Sequence, residues 1–305
     1  VITGLRPKFS GIISPFITPF NEDLSIDVEA VKWLARYEAD GGVHGIFPNS
    51  TTGEFIHLKP DEVIELTKAV IESVGGRVKV IPGISANCTL HSIELGRKLL
   101  DLGVDGFIIT PPYYFKVSKE GLKKHFSMVA EALDTDIIIY NIPSTTGINI
   151  PIDLYVELAK EYSNIVGAKI THDSLIYLKR LIYEVKAVRK DFVVLTGMAD
   201  YLLPNLMLGG DGGVLALANI YPQIPRNVYD AWFNRDLMKA LNEYRRLLQL
   251  AKIYEVASSF PTAIKTALKV MGAPVKPYVR PPLTMEPKEV EEKIRKILVE
   301  LGIVQ

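Results

Sequence analysis

The sequence predicts a (β/α)8 barrel followed by a helical appendage, and three observations predict it. Apolar runs of four to seven residues alternate eight times with amphipathic stretches of about ten to fifteen before residue 233. The runs are largely apolar, as expected of parallel strands covered on both faces. Beyond them, residues 234–305 carry helical periodicity and no strand pattern. Residues 1–233 are therefore read as the barrel and 234–305 as a helical domain appended to it.

The first run is Gly11 to Thr18. A helix follows from Asp27, a good N-cap, through Val28 to Asp40, and Gly41-Gly42 stops it. The second run, His44 to Phe47, leads into Asn49-Ser50-Thr51-Thr52-Gly53-Glu54. Pro60 opens a helix whose Val63, Leu66, Ala69, Val70 and Val74 share one face up to Gly75. The third run is Val78 to Ile84, with a helix at Thr89 to Leu102. The fourth is Gly106 to Thr110, then Pro111-Pro112-Tyr113-Tyr114 and a helix from Ser118 to Leu133. The fifth is Ile137 to Tyr140, followed by a loop, Asn141 to Gly147, and a helix from Ile152 to Glu161. The sixth, Asn164 to Lys169, ends in a lysine and precedes a helix from Leu175 to Arg189. The seventh is Phe192 to Thr196, with a helix at Asp200 to Leu208, and the eighth is Val214 to Ala218. The appendage reads as three helices, Leu237 to Val256, Pro261 to Met271 and Pro287 to Leu301.

The chain has 305 residues, enough for a sizeable core, and 35 basic residues balance 35 acidic ones. No sign bias points to nucleic acid or an anionic membrane. No apolar run reaches the roughly eighteen residues of a membrane span, and Val1 to Pro7 lacks the apolar core of a signal segment. The single cysteine, Cys88, excludes an internal disulfide, and the five histidines show no metal-ligand spacing. The composition fits a cytoplasmic enzyme without a metal.

In such barrels the functional groups stand at the carboxyl ends of the strands. That rule selects Thr18, Ser50 to Glu54, Tyr113, Tyr114, Tyr140, Lys169 and Gly197. A lysine emerging from an apolar strand is partly desolvated. Its pKa falls toward neutrality, and a neutral amine attacks a ketone to form a Schiff base. Alone, Thr51-Thr52-Gly53 is a turn whose hydroxyls satisfy the backbone; beside a lysine it becomes a carboxylate receptor. Tyr140 alone is a buried aromatic; beside an imine it can move protons. Gly209 to Gly213 has the composition of a phosphate loop. It precedes the eighth run, however, and so lies at the opposite face, as a helix-to-strand turn.

Across nearly its whole length the chain resembles the dihydrodipicolinate synthase / N-acetylneuraminate lyase family of class I pyruvate-dependent aldolases. The resemblance is carried by Ser14 to Phe20, Ser50-Thr51-Thr52-Gly53-Glu54, Pro111 to Tyr114, Tyr140-Asn141-Ile142-Pro143, Gly167-Ala168-Lys169, Leu208 to Val214, Pro261 to Lys265 and Arg280 to Leu283. It implies that Lys169 forms the imine with pyruvate, that Thr51 and Thr52 hold the pyruvate carboxylate, and that Tyr140 is the acid/base. It implies a relay from Tyr140 through Thr51 to Tyr114, the last supplied by a neighbouring subunit of a homotetramer, a dimer of dimers. No cofactor is implied beyond the imine itself.

The departures bear on the second substrate. Synthases of the family carry an arginine for aspartate semialdehyde where this chain has Thr145, and a hydroxyl cannot replace a bidentate guanidinium. Pro60 and Val63 stand where lysine-inhibited synthases have histidines. Only Asp200, after Gly197, matches the acidic pair of the sialic acid lyases. Thr145, Gly197 and Asp200 thus join Thr51 and Thr52 as substrate-binding candidates. The pattern is nearest the family's 2-keto-3-deoxygluconate aldolases. Dihydrodipicolinate synthesis is the alternative within the chemistry, and a non-catalytic keto-acid-binding barrel the alternative outside it.

Overall fold

The computed structural model describes residues 7–305. The expectation about the start of the chain, Val1 to Pro7, falls outside the described residues except for Pro7. The elements run β1 (Gly11–Pro15), α1 (Val28–Asp40), β2 (Gly45–Phe47), α2 (Pro60–Val74), β3 (Lys79–Val80), α3 (Thr89–Leu100), β4 (Phe107–Ile109), α4 (Lys119–Ala132) and β5 (Ile137–Asn141). They continue α5 (Pro143–Thr146), α6 (Ile152–Glu161), β6 (Ile165–Ile170), α7 (Leu175–Val188), β7 (Val193–Thr196), α8 (Leu202–Met207) and β8 (Gly212–Val214). The C-terminal helices are α9 (Gln223–Phe233), α10 (Leu237–Ala251), α11 (Ile253–Val256), α12 (Phe260–Val270) and α13 (Lys288–Glu300). Eight strands form one sheet in the order β3-β2-β1-β8-β7-β6-β5-β4, with parallel pairing. This is the (β/α)8 barrel with C-terminal helices that the alternation predicts.

Local chemistry sets the helix ends. The Asp27 carboxylate accepts from the Ala30 N–H, Ser118 from Gly121 and Ser174 from Tyr177, each holding an otherwise orphaned donor of a first turn. Pro60 occupies the first turn of α2, and Gly75 closes that helix at φ 56°.

Packing divides the chain into two compact units. One comprises residues 7–11 together with Gly83–Val214, and so holds β4 to β8 and α3 to α8. Its core is the fully buried run of Phe107 to Ile109, Ile137 to Ile139, Ala168 and Val193 to Leu195. The other comprises Ile12–Pro82 and Leu215–Gln305, with β2, β3, α1, α2 and α9 to α13. Ile13, Leu34, Ile46, Leu66, Leu247, Ile264 and Leu268 are buried in it. The helices beyond residue 234 thus pack in the same unit as the early strands.

The eighth strand corrects the sequence reading. It spans Gly212–Val214, and Ala216–Asn219 is a 3-10 turn. Two of its three residues are glycines, so hydrophobicity does not reveal it. Gly212 has φ 143°, and a Cβ there would overlap the carbonyl oxygen of Gly11; only glycine permits the approach of β1. The glycine-rich stretch is therefore partly strand. Three smaller differences follow. The loop after Tyr140 contains the short helix α5, the helix expected at Asp200 to Leu208 opens with a 3-10 turn at Ala199–Tyr201, and α10 ends at Ala251. At that last point the Lys252 N–H reaches Gln249 O, three residues back instead of four, tightening the turn and separating α11.

Candidate active site

The lysine that ends the apolar run lies in β6, paired with Tyr140 of β5 on one side and Leu195 of β7 on the other. Flanked by two strands, Lys169 is 3% exposed. Burial pushes its ammonium pKa down from the usual 10.5 to about 7. Its Nζ sits 3.7 Å from the centre of the Tyr140 ring, a face that tolerates the charged form without quenching it as a carboxylate would. Near neutral pH a substantial fraction of this amine carries a free lone pair, the form that attacks a carbonyl.

Tyr140 is itself 3% exposed. Its hydroxyl oxygen accepts from Thr171 Oγ1 at 3.3 Å. Thr171 was not singled out in the sequence, although the signal was there: strand periodicity puts residues i and i+2 on one face, so Thr171 follows Lys169 into the same space. Gly197, beyond β7, completes the group. A Cβ at Gly197 would overlap Thr171 Oγ1 and stand 3.1 Å from Lys169 Cε. Glycine at this position leaves room for the Thr171 side chain to pack beside Lys169.

The other candidates in this unit are more exposed than Lys169 and Tyr140. Thr145, in α5, is exposed and donates to Ile142 O at 3.3 Å. Asp200 is exposed in the 3-10 turn after Gly197. Tyr114 is 87% exposed at φ 86° and meets Phe115 edge-on, with ring centres 5.2 Å apart. No described contact brings Tyr114 against Tyr140 or Lys169. Tyr113 is half-buried, and burial raises its phenol pKa.

The Thr51-Thr52 turn belongs to the other compact unit. Thr51 is partly exposed, and Thr52 is 7% exposed. The turn is clamped by its neighbours. Ser50 donates to Phe16 O at 3.0 Å and accepts from Gly53 N at 3.0 Å, and Thr18 donates to Gly53 O at 2.6 Å. Ser50 thus ties the turn to the end of β1. Gly53 approaches Phe16 O so closely that a Cβ would lie 2.5 Å from it. Glu54 follows at φ 60°, a conformation uncommon outside glycine. Its N–H donates to Thr51 O at 3.1 Å.

Among the described residues no group of three or more His, Cys, Asp or Glu could hold a metal ion. No described helix is long and apolar enough to cross a membrane.

Proteins of known sequence and structure place the chain in a class first. A probable 2-dehydro-3-deoxy-D-pentonate aldolase of Escherichia coli K12, YjhH, is 34% identical over 297 residues, 97% of this chain and 99% of that protein. The crystal structure of E. coli YagE, a prophage protein of the dihydrodipicolinic acid synthase family in complex with pyruvate, superposes with a TM-score of 0.94 at 33% identity, covering 97% of this chain and 99% of that one. An uncharacterized DapA-like lyase of Thermofilum pendens is 64% identical over 299 residues, 98% of this chain and 99% of that protein. The class is that of pyruvate-dependent carbon–carbon lyases, the class I pyruvate aldolases. More closely, the chain belongs to the dihydrodipicolinate synthetase family, whose sequence model matches residues 8–301.

Proposed function

We propose that this lyase cleaves a 2-keto-3-deoxy sugar acid such as 2-keto-3-deoxygluconate to pyruvate and glyceraldehyde through an imine on Lys169. The observation that carries this is the buried amine of Lys169, held near neutrality against Tyr140. The neutral amine adds to the C2 carbonyl, and loss of water gives the protonated imine, the electron sink for carbon–carbon cleavage. Tyr140 gives its phenol proton to the departing water and, as the phenolate, takes the proton of the C4 hydroxyl. The C3–C4 bond then breaks, releasing the aldehyde and leaving an enamine. Reprotonation at C3 and hydrolysis return pyruvate and the free amine. No metal or cofactor enters this sequence.

Thr51 and Thr52 are assigned to the substrate carboxylate on the family motif they match, and the clamped turn supports that role. Thr171, hydrogen-bonded to Tyr140, is placed to orient the acid/base, and Gly197 to admit substrate beside Lys169. The neutral Thr145, in the position of the synthases' arginine, favours a hydroxylated aldehyde over aspartate semialdehyde. The aldolase descriptions of YjhH and YagE agree with this substrate class. Asp200 is proposed to face the sugar end, Tyr114 to complete the relay in a neighbouring subunit of a homotetramer, and residues 234–305 to form the helical appendage. The 87% exposure of Tyr114 supports the second of these.

Borohydride reduction with pyruvate should leave a mass adduct on Lys169; no adduct, or one on another lysine, overturns the imine assignment. Pyruvate release from a panel of keto-deoxy sugar acids, with Lys169→Ala as blank, tests the substrate. If condensation with aspartate semialdehyde outpaces that with glyceraldehyde by orders of magnitude, the chain is a dihydrodipicolinate synthase. Pyruvate binding without turnover of any substrate marks a keto-acid-binding protein instead.

A further inference from the structure

A second buried lysine lies behind the Thr51-Thr52 turn. Lys265, in α12, is 0% exposed, and its Nζ donates to Glu54 Oε1 at 2.6 Å and to Tyr278 O at 2.7 Å. It also stands 4.3 Å from the centre of the Phe20 ring. The other Glu54 oxygen, Oε2, accepts from the Arg280 N–H at 3.0 Å and lies 3.3 Å from His57 Nδ1. The Arg280 guanidinium in turn is bound to Glu62, to Leu24 O and to His57 O. Both carboxylate oxygens of Glu54 are therefore engaged by the C-terminal segment. Glu54 is also the residue whose backbone closes the turn, through its bond to Thr51 O and its positive φ.

A fully buried ion pair is a poor source of net stability, because desolvation offsets much of the attraction. Here the pair fixes a geometry. We propose that the Glu54–Lys265 pair is a positioning device by which the C-terminal helices set the carboxylate-binding turn at Thr51 and Thr52. The proposal rests on the assignment of that turn to the substrate carboxylate. Holding the Glu54 side chain from behind fixes the left-handed backbone at Glu54. That in turn fixes the direction of the Thr51 and Thr52 hydroxyls and N–H groups. A neutral replacement of similar shape would keep the core filled and lose the orientation.

The test is the double variant Glu54→Gln/Lys265→Met, which removes both charges together and so leaves neither one buried alone. We expect KM for pyruvate, read from the saturation of the borohydride adduct on Lys169, to rise at least about tenfold. The adduct yield at saturating pyruvate should stay near that of the unaltered protein. The single variant Glu54→Gln, which keeps an oxygen for Lys265, should fold and shift KM in the same direction by less. The comparator is Asp211→Asn, which breaks the Lys186–Asp211 pair (2.8 Å) next to β8. It should lower Tm and leave KM for pyruvate unchanged. An unchanged KM in the double variant, or in Glu54→Gln if the double variant does not fold, overturns the proposal, as does an equal rise in Asp211→Asn. Absence of any Lys169 adduct in the unaltered protein would instead remove the functional assignment beneath it.

Discussion

Among the described residues two lysines are buried, and comparing them separates the amine proposed to react from the one proposed to act as a strut. Lys169 and Lys265 are 3% and 0% exposed, and each stands over an aromatic ring, at 3.7 and 4.3 Å. Burial lowers both pKa values. For Lys169 burial is the cause, and the value falls to about 7. For Lys265 the same push is opposed by the Glu54 carboxylate 2.6 Å away, and the value settles at about 8. An amine faced by a carboxylate keeps its proton and its place; one packed against strands and a phenol ring is ready to lose the proton and react. Desolvation therefore makes a nucleophile only where a counter-charge does not take back what burial removed.

The largest effect that would break the comparison concerns activity. Lys169→Ala should abolish lyase turnover and the borohydride adduct, whereas Lys265→Met should leave the adduct formable in whatever fraction folds. Stability should divide the two in the opposite direction. Lys265→Met strands the Glu54 carboxylate in the core and should cost about 3–5 kcal/mol in denaturant unfolding. Lys169→Met relieves the burial of an ionisable group and should stabilise at neutral pH by an amount on the order of a few kcal/mol. A destabilised Lys169→Met would refute this account of why its pKa is low.

A smaller effect is expected from Thr171→Val, which removes the 3.3 Å donor to Tyr140. We expect turnover to fall about fivefold with KM for pyruvate little changed, since one hydrogen bond is worth about 1 kcal/mol. The pH profile gives the finest test. The reactive form of Lys169 is neutral, so the rate of imine formation should climb as pH rises from 5 through about 7 and then level. The sign for stability follows from the same value. The folded pKa lies below the unfolded one near 10.5, so the unfolded chain binds more protons between about 7 and 10.5. This group's destabilising contribution is thus full below about pH 7 and fades as pH rises across that window. Lys169→Met should remove both dependences.

Much of the architecture was legible because βα units are written in local chemistry. Asp27 and Pro60 mark helix starts that the structure has at Val28 and Pro60, and the buried face of α2 is read but for Thr67. The eighth strand was not legible, since Gly212 and Gly213 carry no apolar signal. Gly212 permits the close approach of Gly11, which no local pattern encodes. At the site, a lysine ending an apolar strand announced its own desolvation, and the expected fall toward neutrality matches the value of about 7. Thr171 could have been found from strand alternation alone.

The sequence by itself determined the alternation of strands and helices, and with it the carboxyl ends at which Lys169, Tyr140 and the Thr51-Thr52 turn stand, because propensity, capping and burial periodicity act over a few residues. Only the tertiary structure decided what those residues face. The 3.7 Å approach of Lys169 to Tyr140 depends on strand register, and the seat of Glu54 depends on Lys265, 211 positions away in the chain. Such pairings are set by where whole elements pack, and packing distance is a quantity that no local stretch of sequence contains.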